Sequence, residues 1–476
     1  MSSWTALLPL AVLTAGALLL LVLEAFLKSK DKAYQGYLSV AFLGMSFYAL
    51  ARGWNRGLTY FQGSLGLDNL GLFLSLLLTL AVAFVILISL KYIPLTGLNI
   101  GEYYPLLLLA LSGLVIMLTT TNLLVIFLGL EVLSVSSYAL AGLRLHDEKS
   151  SEAALKYFLL GSFASAFFVF GLALCFGATN SLEMSAVIDS LRSGSGPALL
   201  ALAGLAFILA GLAFKMSLVP FHMWTPDVYE GSPVPVAAFF SVGPKAVGFA
   251  VLLRLAIPLL GDGHRSGALQ GLLTALAVLT MIVPNLAAIR QSNIKRLLAY
   301  SSIAHAGYLL LAVLAGDAEN LVFYLTVYVF MNLGAFAAVT ALCRKDEERS
   351  ELEDFAGLGF RYPWLGAMLS IFLLSLAGFP PTAGFLAKFY VFSSAAEKGL
   401  VPLVVLAVLA SLVSVYYYLR VVVFMYMKPS RREPKAEAQS PALLLVLFLC
   451  LYGVLQLGLN PGAVIHLIRQ TLAVLP

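Results

Sequence analysis

Charge is scarce in this chain: 11% of its residues are Asp, Glu, Lys or Arg, where an ordinary globular domain carries roughly one-quarter. With 61% hydrophobic residues and a mean hydropathy of +0.95, that scarcity excludes a soluble fold. Cysteine is almost missing too. Cys175, Cys343 and Cys450 lie in or at the ends of apolar runs without metal-ligand spacing, so they read as small hydrophobes. No glycine-rich phosphate loop, haem motif or paired-histidine site occurs. These gaps argue against a nucleotide or redox centre, so no cofactor is expected in this chain and it should carry no electrons itself.

What is present is an almost unbroken series of apolar runs of about 20 residues, each able to cross a hydrocarbon core of roughly 30 Å as a helix. The expected fold is all-α integral membrane, with about fourteen spans at residues 4–27, 35–52, 68–90, 104–120, 122–143, 152–177, 197–230, 233–260, 267–289, 296–315, 319–343, 361–398, 400–427 and 440–459. The first run is not a cleavable signal, because its lysines follow it and no small-residue cleavage site appears. A pI of about 8.9 could suggest a polyanionic partner, but the basic residues are scattered over alternating loops. Lys28, Lys30, Lys32, Lys91, Arg144, Lys149, Arg290, Lys295, Arg296, Arg344, Lys345, Arg349, Arg361, Lys428, Arg431, Arg432 and Lys435 fall in one set, about seventeen against about five in the other. That bias places the first set in the cytoplasm and both termini outside, and it makes nucleic acid an improbable partner.

Two spans are too long for one crossing and are interrupted. Span 197–230 runs through Pro220, and span 361–398 contains Gly378-Phe-Pro-Pro-Thr-Ala-Gly384; proline removes a helical hydrogen bond, so both should be broken in the membrane. They are the seventh and twelfth spans. An odd separation makes them cross in opposite senses, the pattern of inverted repeats with binding sites at broken helices. The expected organisation is three N-terminal helices over 1–103, a five-helix repeat over 104–260, its inverted copy over 261–428, and a cytoplasmic loop with a last helix over 429–476.

Against this apolar background a few ionisable residues stand out. Glu131, Lys215, Lys245 and Lys388 lie deep in spans, where a charge is costly and marks an ion or proton path. Lys215 lies about eighteen residues into its span, too far for its side chain to reach either interface. Glu131 lies nine residues past Asn122, about 14 Å deep at 1.5 Å per residue; a buried carboxylate needs a partner or a proton, and Lys215 is the expected partner. Lys388 is the counterpart of Lys215 beside the second break. Lys156 is near a span end, where snorkelling and a place in the path are both open. His305 can relay protons or be a satisfied core histidine, and His222 follows the Pro220 break. Arg290, Lys295 and Arg296 read as topology charges, and Asp68 as a helix N-cap.

Three segments carry a family resemblance: Ser151-Glu-Ala-Ala-Leu-Lys-Tyr-Phe-Leu-Leu-Gly-Ser-Phe-Ala-Ser-Ala-Phe-Phe168, Phe214-Lys-Met-Ser-Leu-Val-Pro-Phe-His-Met-Trp-Thr-Pro-Asp-Val-Tyr-Glu-Gly-Ser-Pro233 and Lys295-Arg-Leu-Leu-Ala-Tyr-Ser-Ser-Ile-Ala-His305. Over nearly its whole length the chain resembles the antiporter-like N subunits of proton-pumping NADH:quinone oxidoreductase, respiratory complex I. Two features favour N over its L and M relatives: the chain stops at Pro476 without a long lateral helix, and Lys388 stands where M-type members carry glutamate. The resemblance implies a non-redox, proton-translocating subunit of that enzyme in a bacterial inner membrane, beside other antiporter-like and small membrane subunits, with quinone and NADH bound elsewhere. It makes Glu131 and Lys215 the pair of one half-channel, Lys245 the central residue, Lys388 the end of the other half-channel, and Lys156, His222 and His305 connecting positions. Two other readings share these features, a subunit of an Mrp-type cation/proton antiporter and a passive scaffold of the membrane arm.

Overall fold

The computed structural model describes residues 4–27, 32–60, 65–98, 100–193, 197–260, 266–345, 348–429 and 439–472. Lys28, Lys30, Arg431, Arg432, Lys435 and both chain ends, which bear on the expected topology, lie outside the described residues.

Helices follow the apolar runs. α1 (Trp4–Leu27), α2 (Ala33–Ala51) and α3 (Asn69–Leu95) come first, with a short antiparallel hairpin of β1 (Leu58–Tyr60) and β2 (Leu65–Leu67) before α3. Next are α4 (Tyr103–Leu118), α5 (Leu123–Ala141), α6 (Glu148–Thr179) and a short helix off the spans, α7 (Met184–Ser193). The seventh span is split into α8 (Ala198–Met216) and α9 (Trp224–Gly231), and α10 (Val234–Leu260) follows. The second half has α11 (Ser266–Ala288), α12 (Ile294–Leu314), α13 (Ala318–Thr340), the short α14 (Leu358–Arg361), a split pair α15 (Pro363–Ala377) and α16 (Ala383–Glu397), and α17 (Val401–Met427). α18 (Pro441–Leu459) and α19 (Gly462–Leu472) close the chain. All fourteen expected spans coincide with a helix or a split pair. Among the described residues eleven helices are long and apolar enough to cross a membrane, while α4 and α15 are apolar but shorter. α19 was not expected from the sequence; it ties back to α13 through Arg469 and Glu319, 2.9 Å apart.

Both breaks end the first half-helix in a left-handed residue, Ser217 (φ 61°) after α8 and Gly378 (φ 91°) after α15. Glycine adopts that conformation without a side-chain clash. The serine is held there by neighbours: Thr225 Oγ1 donates to Ser217 Oγ at 2.9 Å, and the Trp224 indole closes the turn onto Phe214 O at 3.0 Å.

One local motif occurs twice. Asn122 caps α5 by accepting the amides of Leu124 and Val125, and its side-chain NH2 donates to Glu183 at 2.7 Å. Asn293 caps α12 by accepting the amides of Lys295 and Arg296, and its NH2 donates to Glu351 at 3.1 Å. Each asparagine forms an isolated antiparallel bridge with that glutamate. The flanking backbone pairs also match, Leu123 N to Leu182 O at 2.8 Å and Ile294 N to Ser350 O at 2.7 Å. α5 and α12 are five spans apart.

The core is centred on α10, buried along the whole of its most apolar stretch and packed by α3, α4, α8, α12 and α13. A helix apolar around its full circumference suits such a position. Near its far end Arg254 donates to Asp68 at 2.7 Å, while Asp68 also caps α3 through the Gly71 amide at 2.6 Å, so the cap read from the sequence doubles as an anchor for α10.

Candidate functional site

Lys215, Lys245, His305 and Lys388 are only 3%, 2%, 1% and 5% exposed. Each is placed by a different element. Lys215 sits in the last turn of α8, just before the break, where the negative end of the helix dipole favours a cation. Its Nζ has no hydrogen-bond partner; it lies 5.1 Å from the ring centre of Tyr157, 5.3 Å from Tyr138 and 5.7 Å from Phe214. Lys245 projects from α10 onto α12, donating to both the carbonyl and the hydroxyl of Ser302, with the Tyr328 ring 5.4 Å away. Lys388, on α16, reaches back to the last carbonyl of α15, Ala377 O at 2.9 Å, and to Ser411 Oγ of α17 at 2.9 Å. The two break lysines thus occupy the same electrostatic position, the carboxyl end of a half-helix, by different routes. One extends that helix; the other reaches it from the partner half.

His305 is one turn beyond Ser302 on α12. Its Nδ1 lies 2.7 Å from Tyr324 OH and its Nε2 3.4 Å from Tyr418 OH, and Tyr418 in turn hydrogen-bonds Ser301. Ser301, Ser302 and His305 of α12, with Tyr324 and Tyr418, therefore place hydroxyl and imidazole groups between Lys245 and Lys388 in two hydrogen-bonded sets.

The expected Glu131–Lys215 contact is not formed. Glu131, on α5, is half-buried and accepts from Ser165 Oγ of α6 at 2.5 Å; its helix neighbours Leu128 and Val135 are 53% and 63% exposed, so this face of α5 points outward. The Lys215 ammonium rests instead among aromatic rings, which stabilise a cation through their negative π faces. His222 lies half-buried within the break, its Nδ1 without a partner. Lys156 is not in the buried file: it is half-exposed and paired with Glu152 and Asp227, both at 2.6 Å.

Two groups escaped the sequence. The first is the set of tyrosines just named. Tyr324, Tyr328 and Asn332 recur at four-residue spacing on α13, and that stripe in an apolar span is the signal that could have disclosed them. The second is a charge cluster at the end of the protein bearing Arg144. Lys295 and Arg296, expected to be topology charges, are built into it. Lys295 is 2% exposed and lies between Glu348 at 3.2 Å and Ser232 O at 2.9 Å, and Arg296 bridges Asp227 and Glu230. Glu348 also pairs with Arg144 and accepts from Tyr92 OH at 3.3 Å. Burial pushes the Glu348 carboxyl up, but the charges of Lys295 and Arg144 outweigh that and hold it below the usual carboxylate range. This cluster forms one wall of a polar cleft of about 1210 Å³. Among the described residues no group of three or more His, Cys, Asp or Glu is arranged to hold a metal ion.

Split helices, a buried lysine file and the hydroxyl groups beside it define a polytopic membrane protein of the ion- or proton-conducting class. The family described as NADH:quinone oxidoreductase/Mrp antiporter, TM, matches residues 120–414. NADH-quinone oxidoreductase subunit N of Trichlorobacter lovleyi is 41% identical over 97% of this chain and 95% of that protein; subunit N of Chloroflexus aggregans is 43% identical over 98% and 96%. A chain of respiratory complex I from Thermus thermophilus superimposes with a TM-score of 0.83 at 36% identity, covering 96% of this chain and 98% of that one. The chain belongs to the NADH:quinone oxidoreductase/Mrp antiporter membrane family and, within it, to the subunit N group.

Proposed function

We propose that this chain is a proton-translocating membrane subunit of a bacterial NADH:quinone oxidoreductase, moving protons along Lys215, Lys245, His305 and Lys388 when redox chemistry in other subunits perturbs the file. The observation that carries this reading is the file itself: three lysines no more than 5% exposed, two at half-helix ends, with serine, tyrosine and histidine groups hydrogen-bonded beside them in the second half. The relatives' names support partnership with other membrane subunits of that enzyme.

Coupling along the file does not require direct ion pairs. Unit charges roughly 10 Å apart at an effective dielectric constant of about 20 interact by about 1.7 kcal/mol, well above thermal energy. A change of charge at Glu131 is therefore felt at Lys215 across the aromatic spacer, and the file titrates as a set rather than residue by residue. His222, within the first break, links Lys215 to the end bearing Arg144. By the bias of loop lysines and arginines that end faces the cytoplasm and both termini lie outside. Residues 104–260 and 261–428 act as inverted copies; the repeated Asn122 and Asn293 bridges and the two left-handed breaks support that division.

The test is Lys388→Met in the assembled enzyme, since methionine fills similar volume without the charge. NADH-driven proton uptake by inverted membrane vesicles should fall several-fold while the amount of assembled complex stays near normal. Undiminished uptake would return Lys388 to a structural role and overturn the path.

A further inference from the structure

None of the three lysines of the file has a carboxylate as its hydrogen-bond partner. Lys215 has no hydrogen bond at all, Lys245 donates to Ser302, and Lys388 donates to Ala377 O and Ser411. Each instead lies over a tyrosine: Tyr157 at 5.1 Å for Lys215, Tyr328 at 5.4 Å for Lys245, Tyr308 at 5.2 Å for Lys388. In the second half the same two rings also touch the histidine. Tyr328 is 5.3 Å and Tyr308 5.7 Å from the His305 ring, centre to centre. The order in space is Lys245, Tyr328, His305, Tyr308, Lys388. Both phenol oxygens lie within hydrogen-bond reach of amide NH2 groups, Asn332 at 3.1 Å for Tyr328 and Asn285 at 3.3 Å for Tyr308, which fixes the rings in place.

We infer that Tyr308 and Tyr328 are positioning residues of the proton path: their ring faces replace counter-ions for the protonated Lys388 and Lys245, and each stands between a lysine and His305. The inference rests on the proton-path reading and deepens it. A ring face suits a relay site because it stabilises the ammonium without fixing it as a carboxylate would. An ion pair in hydrocarbon holds its proton tightly and must be broken to release it. A π face carries no net charge, so the lysine can lose its proton without stranding an anion.

The experiment separates ring electrostatics from ring shape and from the hydroxyl. In the assembled enzyme, Tyr308 is replaced by phenylalanine and by difluoro- and pentafluorophenylalanine introduced at the same codon, because fluorination strips the negative π face while nearly keeping the shape. With Tyr308→Phe as the reference that lacks the hydroxyl, NADH-driven proton uptake per assembled complex should fall stepwise with fluorine number, to at least about fivefold below that reference for the pentafluoro ring. A flat series would make the ring a spacer and overturn the inference, as would a Tyr308→Phe loss as large as the pentafluoro one, which would give the role to the hydroxyl. The same series at Tyr328 supplies the answer if any Tyr308 variant fails to assemble. Failure of the proton-path reading is distinguishable: Lys388→Met would then pump normally, whereas failure of the ring inference alone leaves Lys388→Met defective and the fluorine series flat.

Discussion

Glu348→Gln should open the end of the protein that bears Arg144. The glutamate side chain is 7% exposed and is shared by Arg144 and Lys295, themselves 17% and 2% exposed, while Tyr92 hydrogen-bonds both Glu348 and Arg144. The cluster joins α3, the loop before α6, the start of α12 and the loop after α13. Removing the acid leaves two buried cations facing each other, and breaking a buried pair in this way costs about 3–5 kcal/mol. Cys343, fully buried five residues before Glu348, reports the opening. If the thiol reacts only when the cluster opens, 3 kcal/mol at about 1.36 kcal/mol per tenfold raises its labelling rate at least ~100-fold. The assay is 4,4′-dithiodipyridine labelling in native membranes with Cys175 and Cys450 replaced by alanine. A rate within threefold of the unsubstituted protein, with assembly intact, would refute the argument. Acid gives a second readout. The folded carboxyl lies below its ordinary value of 4.5, so its contribution is present above that pH and is lost as pH falls through the folded value. Labelling of Cys343 should accelerate below about pH 4.5 in the parent, and Glu348→Gln should lack that acceleration.

Glu131→Gln and Lys215→Met should each impair redox-driven proton uptake, and the double variant should be little worse than the worse single one, because groups acting as a unit are non-additive; multiplying defects would separate them. Gly384→Ala should prevent assembly, since its Cβ would fall 1.8 Å from Ser375 O where α16 crosses α15, an overlap costing 1–3 kcal/mol or more. Gly44→Ala, with nothing within 4 Å, should be neutral, and equal yields of the two in membranes would sink the packing argument. Reporter fusions after Ala436 should be cytoplasmic and fusions at Pro476 external; the reverse at both would invert the topology.

The spans and both breaks were legible because hydropathy and proline act locally. The deep lysines were legible for the same reason, a charge with no polar company in sequence. What the chain concealed depends on distant residues. Glu131 and Lys215 are paired in the sequence because a buried carboxylate needs a partner or a proton, but the groups around the Lys215 ammonium are aromatic, and Tyr138 and Tyr157 look like ordinary span residues until their helices are packed. Lys295 read as a loop charge at a span end; only the return of the chain at Glu348 encloses it. The doubled asparagine bridge was invisible because its glutamates lie 61 and 58 positions from Asn122 and Asn293.

The enclosure of α10 also has a consequence for biogenesis. Lys245 donates its hydrogen bonds to Ser302, a residue translated 57 positions later. At about 5–20 residues per second the ribosome needs roughly 3–11 s to supply it. Once α10 has emerged, and until α12 and α13 follow it, two sides of a helix made for a protein interior face lipid or the insertion machinery with an ammonium in their midst. Emergence of α10 is therefore the step at which nascent chains should depend most on an insertase, and a stall placed after α10 has emerged and before α12 has done so should hold them there, crosslinkable to it through position 245.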